Sequence, residues 1–502
     1  MNEGKQRALY YEICARIGDG TYAAGAGLPS TRALAAERGL SRTTVSLVYE
    51  QLASDGFIQT RAGAASRVAP GARSAQRHPT SRPTAARGAP GQAAAAGLSV
   101  IGARLRGMRL PQPRDVAARD VDFVYGPLAG HDFPTLLWLK ALRSVERQRS
   151  ERLAYDDPQG SIELRQALLK HLHQTRGIAC SIDQLCIVNG SQQAIDLCAR
   201  LLVDPGDPVV VENPGYRMAH LVFEAQGARL IGVGVDAHGL RTDLLARVAR
   251  ARLAYVTPTH QFPLGSFLPI GRRRALLAWA ADRGAWIIED DYDSEYRHAV
   301  RPEATLQSLD SQGRVIYVGT FSKTLSPQLR LGYLVLPRQL AGVFTAAKRL
   351  ADRHAPTGIQ RALALLLHDG SYDRHVRRIR RMQHARQRAL VEALASRFGD
   401  HLVLQGTASG LHLVAWFPAL PQRREKELVR SAQSAGVRVY PISPFFLPDG
   451  EDAEPARSAA FVMGYASLSE DRIREGVRRL AAALLPLLKQ ANPRSLTRAR
   501  GM

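Results

Sequence analysis

The segment Gly319-Thr-Phe-Ser-Lys-Thr-Leu-Ser-Pro-Gln-Leu-Arg-Leu-Gly332 is the most informative stretch of this 502-residue chain. It follows directly on the apolar run 315–318, which predicts that a buried strand delivers Lys323 to the end of a sheet. Hydroxyl side chains flank the lysine, and Arg330 comes seven residues later. A lysine can form a Schiff base with an aldehyde, while hydroxyls and an arginine can hold a phosphate. These residue types in this order favour a site for pyridoxal 5'-phosphate.

The chain around this segment alternates helical stretches with short apolar runs. The helical stretches are 136–149, 162–176, 192–202 and 272–283, and the apolar runs are 185–188, 209–211, 253–256, 285–288 and 315–318. Such alternation predicts an α/β domain with a largely parallel sheet that helices cover on both faces. Beyond about residue 340 come long basic helices and then strands near 411–417, 437–440 and 461–464, which predict a smaller C-terminal α+β subdomain.

Polar residues follow the apolar runs, where open α/β sheets bind their ligands. Ser191 opens a helix whose N–H groups could hold a phosphate. Asp290 could keep a pyridine nitrogen protonated, Tyr292 could donate to the ring phenolate oxygen, and Tyr216 could cover one ring face. Ser322 and Arg330 could bind the phosphate. Each residue alone has an ordinary structural explanation, but their shared position at strand ends favours the cofactor site.

Residues 5–69 have the pattern of a small helical domain. Leu9, Ile13 and Ile17 recur at helical spacing; Ser30 or Thr31 can cap a second helix that Gly39 closes, and Ser41 can cap a third. The residues predicted to contact DNA are Ser30, Arg32, Ser41, Arg42, Thr43, Thr44 and Tyr49. Residues 56–63 and 66–68 predict the two strands of a small wing. A helical hairpin with a solvated polar face is the alternative.

Charge and composition also favour a nucleic acid partner. The formal net charge is +23, and residues 61–114 contain ten arginines and no acidic residue.

The four cysteines lack the paired spacing of a zinc site or disulfide framework and are expected to be reduced and buried. No run reaches the length of a membrane span, so we expect a cytoplasmic protein without a membrane partner. Residues 70–115 are rich in Ala, Pro, Gly and Arg, which predicts a linker.

Residues 116–490 resemble the fold-type-I aminotransferases, and residues 5–69 resemble a GntR-type winged helix-turn-helix. The whole chain therefore resembles the MocR/GabR subfamily of transcriptional regulators. The motifs are Glu289-Asp-Asp-Tyr-Asp-Ser-Glu-Tyr-Arg297, Phe321-Ser-Lys-Thr-Leu-Ser-Pro-Gln-Leu-Arg-Leu-Gly-Tyr333 and Thr257-Pro-Thr-His-Gln-Phe-Pro263. The resemblance implies a DNA-binding domain over 1–69, a linker over 70–115, a pyridoxal-phosphate-binding aminotransferase-like domain over 116–490 and a basic tail over 491–502.

The resemblance also implies a role for each site residue. Lys323 would form the Schiff base, Asp290 would contact the pyridine nitrogen, Tyr292 the ring oxygen and Tyr216 the ring face. The phosphate would be held by Ser191, Gln192, Ser322 and Arg330. Tyr155, in Tyr155-Asp-Asp-Pro-Gln-Gly160, matches a position that reaches the phosphate of a neighbouring subunit, which implies a homodimer.

Three positions depart from the family pattern. Phe262 stands where catalytic aminotransferases have an asparagine, and Ala460-Phe-Val-Met-Gly-Tyr465 is apolar where an arginine would clamp a substrate carboxylate. Arg438 or Arg457 is a candidate replacement. The wing segment Arg61-Ala-Gly-Ala-Ala-Ser-Arg-Val68 lacks the family's second glycine and its aromatic residue.

The preferred hypothesis is a transcriptional regulator that binds operator DNA and senses an amino acid, an amine or pyridoxal phosphate through Schiff-base chemistry at Lys323. One alternative is a working aminotransferase with an accessory DNA-binding domain, against which Phe262 and the absent arginine argue. The other is a DNA-binding protein whose second domain is a relic without cofactor.

Overall fold

The computed structural model describes residues 2–60, 64–72, 97–111, 119–148, 154–297, 303–448 and 458–491. The chain divides into two compact units, residues 1–96 and residues 97–502. Most of the wing segment's tip, Arg457 and all but the first residue of the predicted tail 491–502 lie outside the described residues.

The first unit is the predicted three-helix domain with a two-stranded wing. Its elements are α1 Asn2–Gly18, α2 Thr31–Arg38, α3 Arg42–Ser54, β1 Ile58–Gln59 and β2 Arg67–Val68, with the two strands antiparallel. Ser30 caps α2 by accepting from the Ala33 N–H at 3.2 Å, and Gly39 ends it with φ of 59°. Ser41 caps α3 in the same way. The predicted helix boundaries are therefore confirmed.

The second unit is built on an eight-stranded sheet. Its strands are β4 Leu185–Val188, β5 Pro208–Asn213, β6 Arg229–Asp236, β7 Gly239–Leu240, β8 Leu253–Val256, β9 Trp286–Asp291, β10 Val315–Thr320 and β11 Gly332–Val335. The order across the sheet is β4-β11-β10-β9-β8-β5-β6-β7. In this sheet β7 and β11 run antiparallel to the other six strands. The carboxyl ends of β4, β5, β8, β9 and β10 therefore lie at one edge of the sheet.

Helices cover this sheet, as the alternation predicts. They are α4 Val100–Gly107, α5 Thr135–Arg147, α6 Ile162–Arg176, α7 Ser191–Leu202, α8 Arg217–Gln226, α9 Ile270–Arg283, α10 Leu306–Leu309, α11 Arg338–Asp352 and α12 Thr357–His368. Alternate residues of β10 pack into different clusters: Ile316 joins α7 and α11, whereas Tyr317 joins α6 and α12. The sheet is therefore buried on both faces, which confirms the predicted fold class.

The C-terminal subdomain packs helices on a four-stranded sheet. Its elements are β3 Val121–Asp122, α13 Ser371–Phe398, β12 Val403–Gln405, β13 His412–Pro421, α14 Glu425–Ser434, β14 Val437–Arg438, β15 Tyr440–Pro441, β16 Ser458–Gly464 and α15 Glu470–Ala491. The sheet order is β12-β13-β16-β15, while β14 pairs with β3 in parallel. Among the described residues, no helix has the length and hydropathy that crossing a membrane requires.

Part of the predicted linker is helical. Within residues 70–115, α4 begins after the capping residue Ser99, and the Arg104 guanidinium donates to the carbonyl oxygens of Ala225 and Gln226 at the end of α8. A cation at a helix C-terminus is favourable because the unpaired carbonyls there carry partial negative charge. The stretch 97–107 is therefore counted with the second unit, and the bounds 70–115 of the linker stay a prediction.

Candidate functional site

Lys323 lies three residues beyond the end of β10, at the sheet edge where the polar strand ends meet. Its ammonium donates a hydrogen bond to the Gly126 carbonyl oxygen at 2.9 Å. Burial lowers the pKa of Lys323, while the carboxylates of Asp293 and Asp290 act in the opposite sense. A lysine in this setting loses its proton more readily than one in water, which is what a nucleophilic amine requires.

Asp290 is buried at the end of β9, next to Lys323. One carboxylate oxygen, Oδ2, accepts from the Tyr255 hydroxyl at 2.5 Å, while Oδ1 is buried without a hydrogen-bond partner among the described residues. Burial raises the pKa of Asp290 to about 7, although the Tyr255 hydroxyl acts against it. A buried carboxylate oxygen without a donor is costly, so this site favours a ligand that brings an N–H group.

Three of the predicted phosphate-binding residues, Ser191, Gln192 and Arg330, lie at the start of α7. The Arg330 guanidinium donates to the Asn189 carbonyl oxygen at 2.7 Å, and a Cβ added to Gly190 would lie 2.7 Å from Arg330 Nη2. Gly190 provides no side chain to cap α7, so the N–H groups of Ser191 and Gln192 remain for an anion. Ser322 comes directly before Lys323, and its hydroxyl accepts from Thr320 Oγ1 at 3.0 Å.

A partly buried network that the sequence analysis missed holds this loop in place. Asp352 accepts from Asn189 Nδ2, Gln193 Nε2 and Lys348 Nζ, each at 2.8 Å, and the Lys348 side chain is fully buried. Asn189 and Gln193 flank the start of α7, whereas Asp352 ends α11, about 160 residues later in sequence. No local sequence motif predicts a contact between residues so far apart in sequence, because the contact arises from the packing of α11 against the sheet.

An aromatic and apolar cluster adjoins Gly126. Phe262 lies 5.6 Å from the Tyr216 ring, 5.4 Å from that of Tyr125 and 5.2 Å from that of Phe445, as measured between ring centroids. Val462, in the segment that lacks the expected arginine, packs in the same cluster. Arg438, a candidate replacement, lies 3.6 Å from Asp120 on the neighbouring strand segment. Arg457 lies outside the described residues.

Tyr155 is 74% exposed and is not brought to Lys323 within this chain. The Arg353 guanidinium lies 4.8 Å above its ring, and the His354 ring packs against it edge-on. These contacts orient Tyr155 at the surface beside the end of α11.

The predicted DNA-contacting residues separate into exposed and buried sets. Arg32, Ser41, Arg42 and Thr43 are exposed at the starts of α2 and α3, and Ser30 serves as the cap of α2. The other two predicted residues, Thr44 and Tyr49, are buried. Thr44 is 5% exposed and its hydroxyl lies 2.7 Å from that of Ser41; Tyr49 is 4% exposed and donates to the Pro29 carbonyl oxygen at 2.8 Å. Both residues take part in the core and the capping of the domain, and a contact of either one with DNA stays a prediction.

Comparison with known proteins agrees with this two-part organisation. Residues 126–480 match the family model "Aminotransferase class I and II", and residues 5–68 match "Bacterial regulatory proteins, gntR family". The probable rhizopine catabolism regulatory protein MocR of Rhizobium meliloti is 36% identical over 486 residues, covering 96% of this chain and 94% of that protein. The chain belongs to the MocR/GabR subfamily of GntR-type transcriptional regulators.

Further relatives of this MocR-type regulator include both regulators and enzymes. The HTH-type transcriptional regulator TauR of Rhodobacter capsulatus is 33% identical, with 95% of this chain and 96% of TauR covered. The crystal structure of a multiple substrate aminotransferase from Thermococcus profundus superposes with a TM-score of 0.70 at 28% identity, covering 78% of this chain and 98% of that one. The two regulators thus match almost all of this chain, whereas the enzyme matches about three quarters of it.

The cofactor of this MocR-type regulator is pyridoxal 5'-phosphate, and the residues present fit it. Asp290 Oδ1 is the unpaired acceptor that a protonated pyridine nitrogen requires. Glycines at 126 and 190 leave space beside the ammonium of Lys323 and the guanidinium of Arg330. Both the lysine end and the phosphate end of the site are therefore shaped for the cofactor.

Proposed function

We propose that this regulator senses a primary amine, an amino acid or pyridoxal phosphate at Lys323 and converts that event into altered operator binding. The observation that carries the proposal is the position of Lys323, with its amine held by the Gly126 carbonyl and Asp290 adjacent, in a chain that also carries a helix-turn-helix. The bound cofactor supplies an electrophilic carbon that amino groups attack. Displacement of Lys323 by an effector would favour one domain arrangement over another.

In this proposal each remaining residue holds the cofactor rather than turning over a substrate. Asp290 accepts from the pyridine nitrogen, Tyr292 donates to the ring oxygen, and Tyr216 covers a ring face. Ser191, Gln192, Ser322 and Arg330 bind the phosphate. The support is the unpaired Oδ1 of Asp290, the open N-terminus of α7 and the hydrogen bond that fixes Arg330 beside it.

The surroundings of Phe262 support sensing over efficient transamination. The Phe262 side chain is 6% exposed and packs among aromatic rings, so it offers no polar group to a reacting substrate. Relatives are named for processes as different as rhizopine catabolism and pyridoxine biosynthesis. We therefore keep the effector as an amino acid, an amine or pyridoxal phosphate, and place the protein in the cytoplasm with its DNA.

The deciding experiment compares DNA binding with turnover. The full-length, cofactor-loaded protein is bound to an operator fragment selected from genomic DNA, and its footprint is measured with a panel of primary amines and amino acids. We expect at least one compound to change the footprint, and cofactor-free protein to give no change. Steady transamination of an amino donor and a keto acid at about 1–1,000 s⁻¹, without any change in the footprint, would support the enzyme instead.

We also propose a homodimer, in which Tyr155 reaches the partner's cofactor site. Leu350 is 88% exposed on α11, three residues before Arg353, whose guanidinium covers Tyr155. A large exposed apolar side chain beside a residue expected to cross between subunits suits an interface.

The dimer proposal predicts that Leu350→Asp weakens self-association by about 30-fold or more, because burying an unpaired carboxylate opposes the contact. Sedimentation equilibrium of the full-length protein measures this. Val403→Asp is the matched control, since Val403 is 53% exposed on the C-terminal subdomain. A dimer that Leu350→Asp leaves as tight as the wild type would contradict this placement of the interface.

A further inference from the structure

A buried hydrogen-bonded cluster lies directly behind Tyr292. The Tyr292 hydroxyl lies 2.9 Å from His260 Nδ1, and Oδ2 of Asp293 lies 2.9 Å from the same nitrogen. The side chains of His260 and Asp293 are 2% and 1% exposed. Two oxygen atoms therefore share one ring nitrogen, and the position of a single proton decides which of them donates and which accepts.

The Asp293 carboxylate determines that proton's position. Its Oδ1 is buried without a partner, and His260 is the hydrogen-bond partner of its Oδ2 within the described part of the chain. A buried carboxylate that lost this donor as well would be left unpaired, at a high cost in free energy. The proton therefore sits on Nδ1 of His260. The other ring nitrogen, Nε2, is buried without a partner, which suits an unprotonated nitrogen better than an N–H donor.

With its proton on Nδ1, the His260 ring has no lone pair there to accept from Tyr292, so the tyrosine's own hydrogen must point elsewhere. We propose that His260 and Asp293 are positioning residues that commit the Tyr292 hydroxyl to donate to the cofactor's phenolate oxygen. The pair thereby sets the pH at which the cofactor-bound nitrogen of Lys323 loses its proton. This inference rests on the proposed roles of Tyr292 and Lys323.

The other titratable groups around Lys323 do not donate to the phenolate oxygen of the cofactor. Asp290 is engaged by Tyr255, and the His412 ring directs Nε2 at the Pro263 carbonyl oxygen, 3.0 Å away. Burial lowers the pKa of His412 to about 3, so this ring is neutral at physiological pH. Asp293 is the remaining carboxylate facing Lys323, and it acts through His260.

A metal ion is the competing occupant of this cluster. His260, Asp293 and His412 offer ligand atoms within 4.8 Å of one another. However, the His260 ring is closely enclosed, because a Cβ on Gly410 would overlap it and one on Gly265 would lie 3.1 Å from its Nε2. The His412 ring packs 5.1 Å from it, centroid to centroid. The hydrogen-bonded arrangement needs no additional space, and we favour it.

Asp293→Asn tests the inference. A neutral asparagine no longer needs the proton on Nδ1 of His260, so the ring proton can move to Nε2 and leave Nδ1 free to accept from Tyr292. The cofactor's phenolate would then lose its donor and hold the proton on the lysine nitrogen more strongly. We expect the midpoint of the visible absorbance change, titrated against pH in full-length cofactor-loaded protein, to rise by about one pH unit.

Matched variants separate positioning from a structural effect. Tyr292→Phe should raise the midpoint by as much, and combining it with Asp293→Asn should add nothing further. His260→Asn keeps an N–H donor near the position of Nδ1. The midpoint of this variant should therefore stay close to that of the wild type. Glu425→Gln is the control, because it neutralises another buried carboxylate, one that accepts from the backbone N–H groups of Ser443 and Ala460. This variant should leave the midpoint unchanged.

Two results would overturn the inference. One is an unchanged midpoint in Asp293→Asn, or in His260→Leu if the first variant fails to bind cofactor. The other is stoichiometric zinc that the wild type retains against a chelator and Asp293→Asn loses. Loss of the visible absorbance in Lys323→Ala checks the underlying cofactor assignment separately, so failure of the positioning role can be told apart from failure of the proposed function.

Discussion

Lys323→Ala is expected to abolish both the visible absorbance of the bound cofactor and the response of DNA binding to added amines. The affinity for operator DNA without effector should stay within about threefold of wild type, since the lysine is in the unit 97–502 and the exposed residues predicted to contact DNA are in the unit 1–96. The reason for the loss is chemical, because without the amine of Lys323 nothing remains for an effector to displace. Absorbance spectra and fluorescence anisotropy of labelled operator measure the two effects.

Lys426→Ala is the matched control, as Lys426 is an exposed lysine on α14. It should behave as the wild type in both measurements. An effector response that survives in Lys323→Ala would exclude displacement of this lysine as the signal. A loss of operator affinity as large as the loss of response would show instead that the substitution unfolds the protein.

Arg42→Ala is expected to weaken operator binding by about 10- to 100-fold, while binding to unrelated DNA falls much less. Arg42 is the first residue of α3 and is exposed, and the Ser41 cap fixes the direction in which that helix end points. An arginine at the start of a recognition helix can reach both base edges and phosphates. Competition binding with operator and random fragments at fixed salt measures the ratio, and the cofactor absorbance should not change.

Tyr49→Phe is the informative control for Arg42→Ala. The Tyr49 hydroxyl donates to the Pro29 carbonyl oxygen inside the domain, so its removal should cost about 1 kcal/mol of stability and leave operator affinity within about twofold. If Tyr49→Phe lost as much operator affinity as Arg42→Ala, the assignment of the DNA-binding face would be wrong.

The architecture was largely predictable because strong local patterns coincide with it. The run 185–188 is wholly apolar and forms β4 with those bounds, and α6 has the bounds of the predicted helical stretch 162–176. Strand ends carry the site in open α/β sheets, so Lys323 and Asp290 could be placed at one sheet edge from sequence alone. The ends of the helices in the first unit could be predicted because capping residues are also a local sequence signal.

Features that depend on packing could not be predicted. The pattern analysis did not identify β6 and β11, because β6 is only partly buried and β11 directly follows the site segment. Thr44 and Tyr49 look like polar contacts in sequence, yet their neighbours in the fold bury them. The role of His260 needs Asp293, 33 residues away, to lie beside it. Asp293 does stand in the quoted acidic motif, which is the signal that could have pointed to it.

The most direct test of the central claim, that displacement of Lys323 is the signal, is a chemical lock. Borohydride reduction of the cofactor-loaded protein joins the lysine to the cofactor irreversibly, so no effector can displace it. We predict that the reduced protein binds operator as the unreduced protein does and that an effector amine no longer changes its footprint. A reduced protein whose footprint still responds to the amine as strongly as before would contradict this account.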